Sequence, residues 1–238
     1  MKGFNGRSLL MVFWTVIWTV IGLAMIFIDP TGHAFMYFAR VGWAPQVLWV
    51  GGVRVVRRGG EGADWRRPYI VASNHQSQVD IPILFANLPM SIRFLAKRSL
   101  FYIPVFGWSL WLARFVPVDR ASSRKARKSI DAAAEKVRRG PSLAVFPEGT
   151  RSPDGKLQAF KSGAFVMAIK SGVPILPIAI RGSYNIVPKH RLGVKPGTVE
   201  MIVGTPIETA SFDLNSREKL KSTVRDRIQR MLETGEPI

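Results

Sequence analysis

The sequence predicts an α/β domain preceded by two long apolar helices. Three observations carry that expectation. From residue 53 onward, short apolar runs alternate with stretches of helical composition, the pattern of strands layered with helices. Residues 8–28 (SLLMVFWTVIWTVIGLAMIFI) carry no formal charge. Residues 34–50 form a second apolar stretch after a short Asp-Pro-Thr-Gly turn.

Residues 8–28 as a helix extend roughly 31 Å at about 1.5 Å per residue, close to the thickness of a bilayer core. A secretory leader is shorter and ends in small residues; here Asp29 and Pro30 follow instead. The second stretch holds Arg40 and Pro45, and a charge at mid-bilayer costs roughly 2.5 kcal/mol or more. Two arrangements fit: residues 8–28 span once, or both stretches form a hairpin dipping into one leaflet. The hairpin keeps Lys2, Arg7 and the basic body on one side, as the positive-inside tendency prefers. It divides the chain into a membrane-anchoring hairpin, residues 1–50, and an α/β domain, residues 51–238. It also places the body at the cytoplasmic face of the inner (plasma) membrane. Two soluble core helices would not need Trp14, Trp18, Phe27, Tyr37 and Trp43, aromatics typical of membrane interfaces.

In the body, residues 53–56 read as a strand, and the glycine-rich residues 58–64 as a hairpin loop after it. Residues 68–72 fit a buried strand, and a helix starts at Asp80 with Pro82 in its first turn. Residues 92–96 are another strand. Residues 121–139 have helical composition and stop at Gly140 and Pro141. Residues 142–146 make a strand and residues 162–170 a helix. The strand at 173–180 is interrupted by prolines, which suits an edge or a bulge. Residues 198–203 alternate as a strand. Leu220, Val224, Ile228, Met231 and Leu232 share one face of a last helix, with Asn215 and Glu218 as its capping box.

The chain has 238 residues, a net charge of +18 and no cysteine. Disulfides, thiolate nucleophiles and cysteine metal sites are therefore excluded. The first fifty residues hold three basic and one acidic residue, so +16 of the charge belongs to the body. Such a balance points to an anionic partner: nucleic acid, an anionic membrane or acidic substrates. Eight lysines and arginines lie between residues 120 and 139. They suit an anionic leaflet, an acidic carrier protein or coenzyme A phosphates. No nucleic-acid motif is present, and no metal-ligand spacing stands out.

Two strings carry chemistry: Asn74-His75-Gln76-Ser77-Gln78-Val79-Asp80 and Phe146-Pro147-Glu148-Gly149-Thr150-Arg151-Ser152. A neutral histidine is the natural base near pH 7, and a carboxylate can fix its tautomer and support the imidazolium. On one continuous helix, positions five apart diverge by about 140°. His75 must therefore end a strand, with Asp80 opening the next helix and folding back. No G-x-S-x-G elbow accompanies Ser77, so direct attack by an acceptor alcohol is simpler than a serine intermediate. In the second string, Gly149 permits a tight turn and Arg151 can hold a phosphate bidentately.

With the segments between them, these strings resemble the glycerolipid acyltransferases, specifically the 1-acylglycerol-3-phosphate (lysophosphatidic acid) type. Four blocks match in order over residues 68 to about 185. His75 and Asp80 match the family's catalytic NHxxxxD. Residues 97–120 (KRSLFYIPVFGWSLWLARFVPVDR) match the second block, and Arg120 its acceptor-phosphate arginine. Glu148, Gly149, Thr150 and Arg151 match EGTR. Pro174 falls in the fourth block, VPILPIAI, linked to acyl binding or catalysis. Lys161-Ser162-Gly163 resembles the segment after the third block.

The resemblance implies a mixed sheet flanked by helices behind an N-terminal two-helix membrane motif. It also implies acyl transfer from acyl-CoA or acyl-carrier protein to the sn-2 hydroxyl of a lysophospholipid, without a cofactor. His75 would be the base, Asp80 its partner, and Arg151 with Arg120 the phosphate holders. The expected partners are membrane phospholipids, the lysophospholipid acceptor and acyl-carrier protein, with no nucleic acid. Gln78, Ala113 and Pro117 depart from the usual pattern, so lyso-ornithine lipid and glycerol-3-phosphate stay open as acceptors. A non-catalytic membrane-binding protein is the rival class.

Overall fold

The computed structural model describes residues 3–29, 31–118, 123–138 and 140–238, without the side chains of residues 26 and 123–128. The chain opens with α1 (Gly6–Ala24). Asn5 caps it: its side chain accepts from the Ser8 amide at 3.0 Å, and its own amide donates to the Ser8 hydroxyl at 2.8 Å. After the turn come α2 (His33–Phe38), a wide π-helical turn (Ala39–Trp43) and α3 (Ala44–Gly51). The wide turn lies just before Pro45, which lacks an amide donor and crowds the preceding turn of a regular helix.

The two stretches pack antiparallel. Arg7 Nη1 donates to the Val50 carbonyl at 3.2 Å, Trp43 Nε1 to Thr15 Oγ1 at 3.2 Å and Trp18 Nε1 to Gln46 Oε1 at 3.2 Å. Gly22 and Gly42 permit the close approach: a Cβ on either would meet Phe35 or Trp18 at 2.2 or 2.3 Å. The hairpin is also tied to the body, since Met36, Ala44 and Leu48 share a buried cluster with Val71 and Ile83.

The body is a seven-stranded mixed sheet. Its strands are β1 (Val53–Gly59), β2 (Ile70–Ser73), β3 (Ile92–Lys97), β4 (Val116–Val118), β5 (Ser142–Val145), β6 (Ile175–Arg181) and β7 (Gly197–Val203). Their order is β1-β7-β6-β2-β5-β3-β4. Strands β4, β3, β5, β2 and β6 run parallel; β7 is antiparallel to β6 and parallel to β1. The body helices are α4 (Asp80–Asn87), α5 (Phe106–Leu112), α6 (Ser123–Arg138), α7 (Gly163–Ser171) and α8 (Arg217–Thr234).

Both faces of the sheet are covered, so the central strands read as unbroken apolar runs. Tyr69 and Val71 face the hairpin and α4, while Ile70 and Ala72 face α6, α7 and α8. Leu220, Val224, Ile228 and Met231 are fully buried under that second face.

Three expectations change. Residues 58–64 are not a hairpin loop: β1 pairs only with β7 at the sheet edge, and the chain then re-enters at the centre as β2. Arg54, Arg57 and Arg58 in β1 suit an edge strand. Strand β6 is interior, not an edge, although its proline does mark a bulge. Ile175 pairs with Ile207 but Ile178 with Val203, so one strand has an extra residue opposite Pro177. That irregularity accommodates its missing donor. The last helix is capped by Ser216 rather than Asn215. Ser216 exchanges hydrogen bonds with Asp213, while Glu218 bonds Ser162.

Candidate active site

Because β2 and β5 are parallel neighbours, with Ala72 paired to Val145, both chemical strings leave the same end of the sheet. That is where open α/β sheets bind ligands. Asn74 locks the end of β2. Its Nδ2 donates to the Ile180 carbonyl at 2.8 Å, and its Oδ1 accepts from the Ile180 amide at 2.7 Å. The His75 backbone is then clamped by the second string. Its amide donates to Glu148 Oε1 at 2.6 Å, and its carbonyl accepts from the Ser152 amide at 2.7 Å.

Asp80 opens α4 and folds back as expected. Its Oδ2 accepts from His75 Nδ1 at 2.9 Å and from the amides of Gln76 and Ser77, each at 2.8 Å. The carboxylate is an acceptor, so the ring proton sits on Nδ1 and Nε2 is the free ring nitrogen. Asp80 is fully buried and its Oδ1 has no partner. The imidazole lies flat on Phe146, ring centres 3.9 Å apart and planes 12° apart, which fixes its tilt. Ser77 is fully buried, and its hydroxyl donates to the Val187 carbonyl at 3.0 Å, so it is no nucleophile.

Glu148 faces inward. Its second oxygen accepts from the Gln158 amide at 3.0 Å, so the carboxyl braces two turns instead of facing a ligand. Burial, aided by the Asp80 charge, pushes it up to about 7; the two backbone amides pull the other way. Gly149 adopts a left-handed φ of 75°, and a Cβ there would sit 3.0 Å from the Lys161 side chain. Thr150 is exposed. Arg151 is half-buried, has no hydrogen-bond or ion-pair partner among the described residues, and is lowered by burial against the opposing pull of Asp80.

These residues open on a cavity of about 1190 Å³ between the hairpin and the sheet. Its polar end holds His75, Gly149, Thr150, Arg151, Lys97 and Lys161; its apolar walls include Met11, Trp18, Phe35, Phe85 and Phe94. A shallower depression of about 510 Å³ beside α3 and β1 contains none of the motif residues.

Pro174 is not part of this cavity's wall. It precedes β6 and accepts from the Ile70 amide, at the end of β2 opposite His75. Arg120 lies outside the described residues. Among those described, no group of three or more metal-ligating side chains could hold a metal. The sequence reading missed the Phe146 stack and the inward turn of Glu148. It also assigned no role to Lys97 or Lys161, although both lay inside matched segments. The bare signal for Lys161 was its place in the turn leading into α7.

The acyltransferase family model matches residues 50–181. The chain belongs to the acyltransferase family. It is 31% identical over 187 residues to a 1-acyl-sn-glycerol-3-phosphate acyltransferase of Borreliella burgdorferi, covering 79% of this chain and 75% of that protein. It is 40% identical over 148 residues to the chloroplastic 1-acyl-sn-glycerol-3-phosphate acyltransferase BAT2 of Brassica napus, covering 62% of this chain and 43% of that protein. The chain thus spans less than half the length of the first relatives it matches. The crystal structure of the 1-acyl-sn-glycerophosphate (LPA) acyltransferase PlsC from Thermotoga maritima superposes with a TM-score of 0.76 at 27% identity. That match covers 95% of this chain and 96% of the other.

Proposed function

We propose that this protein transfers a fatty acyl group from acyl-CoA or acyl-carrier protein to the sn-2 hydroxyl of lysophosphatidic acid, giving phosphatidic acid. The observation that carries the reading is the His75–Asp80 pair at the polar end of a large apolar cavity beside an unpaired Arg151. The free Nε2 of His75 takes the hydroxyl proton as the alcohol oxygen attacks the thioester carbonyl carbon. Asp80 holds the imidazolium that forms. Collapse of the tetrahedral intermediate breaks the carbon–sulfur bond, and the departing thiolate takes the proton back. Arg151 holds the acceptor phosphate, with Lys97 and Lys161 adding positive charge at the same end. The apolar walls take acyl chain. No metal or organic cofactor has a part in these steps.

The same reading places the protein at a membrane, at the cytoplasmic face of the inner membrane. Helix α1 is long and apolar enough to cross a bilayer by length and composition. Its outward side exposes Leu9, Phe13, Val16 and Val20. Packed against α2 and α3, it suits a hairpin held in one leaflet. The test is an assay of purified protein with lysophosphatidate, lyso-ornithine lipid and glycerol-3-phosphate, each with both donor types. Fastest transfer to lysophosphatidate is expected. No transfer to it with either donor would sink the proposal.

A further inference from the structure

We propose that residues 102–111, α5 with the turn before it, form a second bilayer-contacting element beside the hairpin; this rests on the membrane reading above. The segment joins β3 to β4, far in sequence from residues 1–50. Tyr102 is 73% exposed and Trp108 and Trp111 are each 57% exposed, with Ile103, Val105 and Phe106 also open. Monomeric soluble proteins rarely present so contiguous an apolar surface. Tryptophan and tyrosine are the side chains that settle where acyl chains meet headgroups.

Two further observations name a lipid surface as the occupant. First, the patch continues the hairpin's own: α5 packs on α1, and Ser109 and Leu110 wall the same cavity that α1 walls. Phe106 of α5 and Val12 and Val16 of α1 are exposed and also line that cavity, so the outer edges of both helices border one opening. Second, residues 81–118 contain no aspartate or glutamate, while Lys97, Arg98 and Arg114 are exposed around the patch. An aromatic surface ringed by cations complements anionic headgroups. A second copy of this chain would bring the same cations face to face. With α5 immersed, the cavity opens toward acyl chains, and a lipid acceptor enters sideways.

The absence of cysteine allows single labels on the full chain. An environment-sensitive fluorophore is placed at Trp108→Cys, Trp111→Cys, Phe13→Cys on the hairpin, and Ser222→Cys on the solvent side of α8. Vesicles of phosphatidylglycerol and phosphatidylcholine are added, with and without brominated acyl chains. Labels at 108, 111 and 13 should shift to the blue and be quenched by brominated lipid, while the label at 222 stays in water. Quenching at 13 but not at 108 or 111 overturns the proposal and leaves the hairpin reading intact. No quenching at 13 overturns the membrane reading and this proposal with it. A blue shift at 108 or 111 that follows protein concentration without lipid quenching identifies a second copy as the occupant and overturns the proposal. The double variant Trp108→Ser/Trp111→Ser should also lower vesicle partitioning at least about tenfold with its circular dichroism unchanged; unchanged partitioning contradicts the proposal.

Discussion

Arg151 is a guanidinium drawn half out of water with no carboxylate bonded to it among the described residues, and under the proposed function it receives the acceptor phosphate. A charge-assisted hydrogen bond contributes about 1.5–3 kcal/mol. Arg151→Ala should therefore raise the apparent KM for a phosphate-bearing acceptor roughly 10- to 100-fold and leave the donor KM nearly unchanged. An equal rise for both substrates would show that Arg151 is not an acceptor ligand. Glu148 makes a different prediction. Its carboxyl is held up at about 7 against an ordinary 4.5. The folded protein thus binds an extra proton between those values, and stability falls as pH rises through that window. A shift of this size is worth about 3 kcal/mol. Urea unfolding should show Glu148→Gln gaining on the wild type from about pH 4.5 to pH 8; parallel pH profiles would contradict this. That His75 meets Asp80 was legible from the strand-then-helix reading of the first string, and Arg151 was singled out by the second string and its family resemblance. The inward turn of Glu148 was not legible, because it depends on a partner 73 residues away in the chain, the His75 amide. Pro174 was named by its block in the family resemblance, which does not say that it precedes β6 at the end of the sheet opposite His75.

Among the elements, the hairpin shows how small residues set helix packing. The Trp18 ring fills the space where a side chain at Gly42 would stand, and its Nε1 is held by Gln46. Gly42→Leu should push the ring out and cost about 1–3 kcal/mol as overpacking. Thermal unfolding in detergent would read this as a lowered Tm; an unchanged Tm would mean that the two helices are not packed as described. The apolar runs that became β2, β3 and β5 were legible because burial on both faces demands such runs, and β7 was legible from its alternation. Strand β4 was missed: three residues with Pro117 at their centre carry too little pattern, and only an edge position tolerates that proline. The partners of β1 and the interior position of β6 were beyond sequence reasoning for one reason. Both depend on which strands are neighbours, and that is decided by long-range pairing rather than by local pattern.

At the scale of the molecule, the charge of +18, the exposed apolar flank and the cavity between hairpin and sheet converge on one arrangement. Under the proposed function a basic body would meet an anionic leaflet, and the cavity that ends at His75 would draw on lipid. The two-string pattern in the sequence was enough to bring His75 and Arg151 to one cavity, because both strings end neighbouring parallel strands. What it left undetermined was the wall of the site, which is supplied by helices up to seventy residues upstream. The claim that organises this picture is that His75 removes the acceptor proton. It is tested by acyl transfer to lysophosphatidate in purified His75→Ala, alongside vesicle binding. The rate should fall by about 10²–10⁴ while vesicle binding and fold persist. Transfer at the wild-type rate would contradict it.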